Sequence, residues 1–257
     1  MAIYPDVTQR LRAEVLEHCG PTSSPTLEHF KDMKYSVLIS RVDLVYMPIY
    51  FFFSLVKGVI NEALRLFPPV PLNVRECRST PCIFPQSDRT YPNTSNQPLY
   101  MPPTTTIVIL PLLMQRNPAL WGDDADDFNP ERWIDPERVK KFVANPTMFA
   151  PFSAGPRIVS VIFSSLSLSL FTTALYTFQM QCLGQNYAYN EMSYFLVRLL
   201  QRFDKFTLAS EIQPVESLPP PEWKYRKGRQ ATEKIWPSAA MTLFVKGGLW
   251  VQFHKAQ

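Results

Sequence analysis

The sequence predicts a mainly α-helical protein carrying small β-sheets, an α+β chain, and three observations predict it. Residues 185–203 place Met192, Phe195, Leu196, Leu199, Leu200 and Phe203 at helical spacing, with Glu191, Arg198 and Arg202 off that stripe. Residues 59–67 form a second apolar helix, stopped by Pro68-Pro69. Residues 70–112 alternate turn residues with short β-type runs, of which 106–110 is the clearest.

Taken in order, residues 5–18 read as a helix, with Val7, Leu11, Val15 and Leu16 separated by charges. Ser24-Pro25 opens a second, short helix, serine as N-cap and proline in the first turn. Residues 36–57 are an apolar stretch containing Tyr50-Phe51-Phe52-Phe53, interrupted by Arg41 and Asp43. Residues 116–121 indicate a short helix, followed by an acidic turn and then Phe128-Asn129-Pro130-Glu131-Arg132-Trp133. Residues 241–245 and 249–253 flank Lys246-Gly247-Gly248, a hairpin signal.

With 46% apolar and 19% charged residues the chain can bury a core and is not a disordered tail. The 25 prolines against 8 glycines assign much of it to ordered meander rather than regular structure. A net charge of +4 is too small and too evenly spread to indicate nucleic acid. Cys19, Cys77, Cys82 and Cys182 show no C-x-x-C spacing, so reduced thiols in a cytosol-facing protein are expected. Residues 1–18 are amphipathic and charged, unlike a signal peptide, and a missing N-terminal portion is expected. A hydrolase or nucleotide-binding enzyme is excluded: there is no G-x-S-x-G and no Gly-rich phosphate loop. His18, His29 and His254 have no ligand spacing.

Glu62 and Arg65 lie three apart on one helical face. Alone, that spacing reads as a solvated surface pair. With Arg132 it would form a buried cluster pinning a meander against a helix, a structural role. Residues 152–158 read Phe-Ser-Ala-Gly-Pro-Arg-Ile, and 182–184 read Cys-Leu-Gly. Cys182 directly precedes a helix start, where free N–H groups favour a thiolate, as a metal ligand or equally as a redox thiol. Arg157 can meet an anionic group, and Gly155 permits a tight bulge.

E-A-L-R-L-F-P-P-V-P, then F-N-P-E-R-W, then P-F-S-A-G-P-R-I and C-L-G-Q together resemble the C-terminal part of a cytochrome P-450. The likeness is greatest to fungal members related to alkane and fatty-acid hydroxylases, and covers all but residues 36–58 and 159–181. The resemblance implies haem b as cofactor, Cys182 as axial ligand to its iron, and Arg75 and Arg157 as propionate contacts. It implies Glu62, Arg65 and Arg132 as the structural triad behind the cysteine loop, and residues 70–74 as part of the substrate pocket wall. No catalytic residue is carried over, because the distal helix belongs to the part expected to be missing. The implied activity is insertion of one oxygen atom from O2 into a C–H bond of an apolar, alkane- or fatty-acid-like substrate. Electrons would come from NADPH through cytochrome P-450 reductase, at the cytosolic face of the endoplasmic reticulum membrane.

The chain departs from the family at the ligand loop. One residue normally separates the loop arginine from the cysteine; here there are 24. Residues 159–181 carry no charge and read as a bilayer span, a core helix, or translated intron. Val159-Ser160 is codable as GTxAGT and Gln181 as CAG, the segment is in frame, and its removal restores F-x-x-G-x-R-x-C-x-G. Translated intron is therefore the favoured reading. Residues 36–58 read as a second insert, or else as an ordinary buried strand or helix. The chain is thus expected to be one partial domain, 1–257, with inserts at 36–58 and 159–181. The alternative function is a non-catalytic truncated or mis-spliced product without bound haem.

Overall fold

The computed structural model describes residues 1–26, 55–77, 79–84, 98–153 and 184–256. Its architecture is three helices packed around the main apolar core, with two-stranded sheets at the periphery and a helical meander built on a second, smaller cluster of Trp121, Ala125, Trp133, Phe142 and Met148. Helix α1 (Pro5–Cys19) contributes Leu11, Val15 and Cys19 to that core. Helix α2 (Leu55–Leu66) contributes Leu55, Val56, Val59, Ile60 and Leu64. It begins earlier than the sequence predicts, because the Glu14 carboxylate on α1 accepts from the Leu55 and Val56 amides, each at 3.2 Å. That contact caps the N-terminal turn from a neighbouring helix. Residues 55–58 of the expected first insert therefore belong to α2; its other residues, and all of 159–181, lie outside the described residues.

Strand β1 (Asn73–Glu76) pairs antiparallel with β4 (Thr106–Ile109), Arg75 opposite Ile107. Strands β2 (Cys82–Phe84) and β3 (Leu99–Met101) form a second antiparallel pair. The two ladders meet at Cys77, which pairs with Thr104 and Thr105 through both backbone groups. The Cα atoms of Cys77 and Cys82 lie 6.5 Å apart there and the sulfurs are bonded, a spacing suited to a bridge. This corrects the expectation of reduced thiols at both positions. The missing clue was spatial, since the chain reversal that joins them has no C-x-x-C signature.

Short helices α3 (Pro111–Met114), α4 (Pro118–Trp121) and α5 (Pro136–Ala144) follow, with a 3-10 turn at Pro130–Trp133. Three of these starts are written in sequence: Asn117-Pro118, Asn129-Pro130 and Asp135-Pro136 each put a capping side chain before a proline. Each cap accepts the amide two residues on, at 3.0, 3.2 and 2.9 Å. Ser24 to Thr26 adopt no helix; the rest of that expected element lies outside the described residues.

Helix α6 (Gln185–Arg202) runs where the periodicity places it, but its buried line is Ser193, Val197, Leu200 and Gln201. Met192, Leu196, Leu199 and Phe203 pack at the edge of the core, and Phe195 is 63% exposed. The stripe is thus rotated from the sequence reading. α1 lies against α6, and Gln201 donates to the carbonyls of Gly20 and Ser23 beyond the end of α1.

Strand β5 (Phe203–Leu208) pairs with β8 (Val251–Lys255), and β6 (Pro237–Ala239) with β7 (Leu243–Val245). The expected hairpin between 241–245 and 249–253 is therefore corrected. Gly247 and Gly248 do turn the chain, at φ 71° and 82°, yet the strands they join pair elsewhere. Aromatic packing of Phe203, Phe206 and Phe253 favours β5 as partner of β8. Among the described residues, no helix is long and apolar enough to cross a membrane.

Candidate functional site

The polar centre of the described structure is the face of α2 that meets the meander. Gly58 makes the approach possible: a Cβ there would sit 3.0 Å from the Pro130 carbonyl oxygen. The 3-10 turn carrying Arg132 thereby lies against the helix carrying Glu62 and Arg65. All three side chains are buried, so the Glu62–Arg65 pair is not a solvated surface pair.

The Glu62 carboxylate accepts five hydrogen bonds. Oε1 receives Arg65 Nη2 at 2.8 Å, the Asn129 amide at 2.9 Å and Arg132 Nε at 3.4 Å. Oε2 receives Arg65 Nε at 2.8 Å and Trp133 Nε1 at 2.9 Å. Arg65 spends its remaining donors on the carbonyls of Gln115, Ala125 and Asp127 at 2.6–2.9 Å. Arg132 reaches the Trp121 and Asp124 carbonyls and the Asp124 carboxylate at 2.9–3.1 Å. Both guanidinium groups are thus fully used, which makes burial of two cations tolerable. The Trp121 ring lies 5.1 Å from Arg65 and 5.9 Å from Arg132, adding a π-face to the same charges.

Asp124 closes the network on the solvent side. Burial opposes its ionisation, but hydrogen bonds and charge from Arg138 and Arg132 prevail and hold the carboxyl at about 2.

Gln115 joins this network to the loop that follows. It is buried, donates to the Leu64 and Arg65 carbonyls at 3.1 and 3.0 Å, and accepts the Ala150 amide at 2.9 Å. Sequence reasoning missed it. A lone glutamine carries no spacing signal, and its role emerges only once α2, α3 and residue 150 are placed together. From Ala150 the chain enters Phe152-Ser153, the start of the expected ligand loop. Phe152 packs on Tyr189 of α6, with ring centroids 5.5 Å apart, and Tyr189 donates to Asn61 Oδ1 at 2.7 Å. Burial pushes the Tyr189 phenol above its ordinary pKa and keeps it neutral.

Arg75 reaches the same loop from β1. Its Nη2 donates to Ser153 Oγ at 3.2 Å and its Nη1 to the Val74 carbonyl at 3.1 Å, with the side chain exposed. Beside it Val70, Leu72 and Val74 are also exposed. An arginine with spare donors next to an apolar strip fits a large apolar group bearing carboxylates, the chemistry of haem and its propionates. The structure therefore brings Glu62, Arg65 and Arg132 together and sets Arg75 at the start of the loop. Arg157 and Cys182 lie outside the described residues. Among the described residues no His, Cys, Asp and Glu cluster could hold a bare metal ion.

Residues 53–158 match the family model for cytochrome P-450, a segment that includes Glu62, Arg65, Arg75, Arg132 and Arg157 but stops short of Cys182. The chain is 32% identical over 215 residues to cytochrome P-450 52-M1 of Starmerella bombicola, covering 82% of this chain and 30% of that protein. It is 30% identical over 211 residues to cytochrome P-450 52E2 of Candida apicola, covering 80% and 30%. To cytochrome P-450 monooxygenase fsdH of Fusarium heterosporum it is 29% identical over 224 residues, covering 87% and 28%. The chain thus spans less than a third of the length of the curated relatives it matches.

Proposed function

Because the chain belongs to the cytochrome P-450 family, we propose that it supplies the thiolate-side scaffold of a haem-dependent monooxygenase. The observation that carries this reading is the buried Glu62–Arg65–Arg132 network with Gln115 tied to it. It anchors, through Ala150, the loop that Arg75 touches at Ser153.

In this proposal Cys182 holds the haem iron, and Arg75 and Arg157 hold the propionates. The bound haem supplies the oxygen chemistry, insertion of one atom of O2 into a C–H bond. The protein's own residues bind and orient. The triad keeps the α2–meander unit rigid, so that the Phe152 loop starts from a fixed point. Tyr189, bonded to Asn61, fixes the first turns of α6, the helix that follows Cys182 in sequence. The exposed strip Val70, Leu72 and Val74 suits an apolar substrate of the alkane or fatty-acid class. NADPH–cytochrome P-450 reductase as electron donor and the endoplasmic reticulum membrane as location complete the proposal.

Residues 159–181 are, in the same proposal, a translated intron. The family match stops at Ile158, one residue before the segment begins, which supports the reading. Sequencing the transcript across residues 150–190 tests it: a spliced message lacking codons 159–181 is expected, and a single message retaining them overturns it. A second reading, a product without bound haem, is favoured by the 24 residues between Arg157 and Cys182. Haem titration separates the two. The spliced form, joined to the N-terminal portion of cytochrome P-450 52-M1, is expected to bind one haem, with affinity weakened by Arg75→Ala and Arg157→Ala. Unchanged affinity in both variants would remove the propionate assignment.

A further inference from the structure

We propose that Cys77 and Cys82 form a redox-modifiable pair, a site for small thiols of the glutathione class, which staples the strand carrying Arg75.

The placement is specific. Cys77 follows β1 directly, and both of its backbone groups continue the ladder: its amide donates to Thr105 at 3.0 Å and its carbonyl accepts from Thr104 at 2.6 Å. Cys82 is the first residue of β2 and stands opposite Met101. The bridge therefore fastens the β2–β3 pair to the end of the β1–β4 pair, two residues from Arg75. The β1–β4 pair has only four ladder positions, and so short a pair gains much of its persistence from whatever closes its end. Access is built in. Cys77 is 8% exposed, Cys82 is less buried, and Ser79, Thr80 and Pro81 between them are exposed. Cys19 contrasts with this pair, since it sits within the main core, where burial and then the Glu14 charge raise its thiol pKa.

The exchange balances. A thiolate of the glutathione class attacks Sγ of Cys82, breaking the Cys77–Cys82 bond and forming a mixed disulfide. Cys77 leaves as thiolate and takes a proton from water. A second thiolate attacks the glutathione sulfur of the mixed disulfide, releasing Cys82 and a glutathione disulfide. Two small thiols are oxidised and one protein disulfide is reduced; the reverse reaction closes the staple. The consequence for haem rests on Arg75 being a propionate anchor, whereas the staple itself does not.

The test uses the full chain equilibrated in reduced-to-oxidised glutathione buffers, trapped with N-ethylmaleimide and digested with trypsin. Arg78 lies between the two cysteines, so cleavage there leaves two peptides held together only by the bridge. A linked pair that rises with oxidised glutathione and falls again on adding the reduced form is expected. Alkylation of both cysteines in every buffer, a bridge that never opens, or pairing with Cys19 or Cys182 would each overturn the proposal. Hydrogen exchange at residues 73–77 and 104–109 is the second measurement. Exchange about tenfold or more faster on reduction is expected, and the double variant Cys77→Ser, Cys82→Ser should exchange at the fast rate in all buffers. Equal rates in oxidised and reduced wild type would show that the bridge staples nothing, whether or not the double variant folds. Neither measurement involves haem, so a failed propionate assignment at Arg75 leaves both interpretable.

Discussion

Removing the Glu62 carboxylate, by Glu62→Ala, is expected to cost about 3–5 kcal/mol of stability. Five donors converge on that group, and hydrogen bonds to charged groups contribute about 1.5–3 kcal/mol each. A simple sum would approach or exceed the whole stability of a domain, about 5–15 kcal/mol. It overshoots because the partners keep other acceptors: Arg65 retains three carbonyls, and Arg132 retains Asp124 and the Trp121 carbonyl. What remains is chiefly the uncompensated charge of two buried guanidinium groups. Urea unfolding followed by tryptophan fluorescence measures the loss, since Trp133 bonds Glu62 and Trp121 lies beside both arginines. With a slope of about 2 kcal/mol per molar urea the midpoint falls by roughly 2 M. Glu62→Gln should recover only part of the loss, because its amide nitrogen must face donors. A loss below about 1 kcal/mol for Glu62→Ala, the range of an exposed ion pair, would show that the two arginines do not depend on the Glu62 charge.

Three further outcomes follow from the same geometry. Gln115→Ala leaves the buried Ala150 amide without its acceptor and two α2 carbonyls without their donor; a loss of about 1–3 kcal/mol in urea unfolding is expected. Asp124 is held at about 2 against an ordinary 3.8, so its stabilising contribution is complete above about pH 3.8 and is lost as pH falls toward 2. The stability difference between wild type and Asp124→Asn, at most about 2 kcal/mol, should therefore close over that interval, as read by urea unfolding at neutral pH and at successive steps below pH 4. Arg75→Ala, at an exposed side chain with one bond to Ser153, should change stability by less than about 0.5 kcal/mol while weakening haem binding in a titration.

Much of the helical frame was legible, and the reasons for the rest are physical. Caps written as Asn-Pro and Asp-Pro are local chemistry, yet only the helix after Asn117 was read from the sequence; Pro130–Trp133 and Pro136–Ala144 carry the same signal and were not. The E-x-x-R spacing is local too, but its burial is not: it depends on Gly58 admitting Pro130, a contact between residues far apart in sequence. The α6 stripe was misplaced because a broad apolar face has several candidate centres, and the buried line, Ser193, Val197, Leu200 and Gln201, is set by the neighbouring helices it packs against. The Gly247-Gly248 turn was legible as a turn, but strand partners are chosen by packing across the fold, and β8 joins β5. Gln115 and the Cys77–Cys82 bridge depend wholly on tertiary placement. The candidate site was legible through motif order, which fixed Glu62, Arg65, Arg75 and Arg132 as residues to examine; their bonding partners were not.

Ligation of haem iron by the Cys182 thiolate, once residues 159–181 are removed, is read in the carbon monoxide spectrum of the reduced protein. The measurement uses the form lacking residues 159–181, joined to the N-terminal portion of cytochrome P-450 52-M1. The red-shifted Soret band of thiolate ligation is expected, together with its loss in Cys182→Ala. The same shifted band in Cys182→Ala, or no haem uptake by the joined protein, would contradict it.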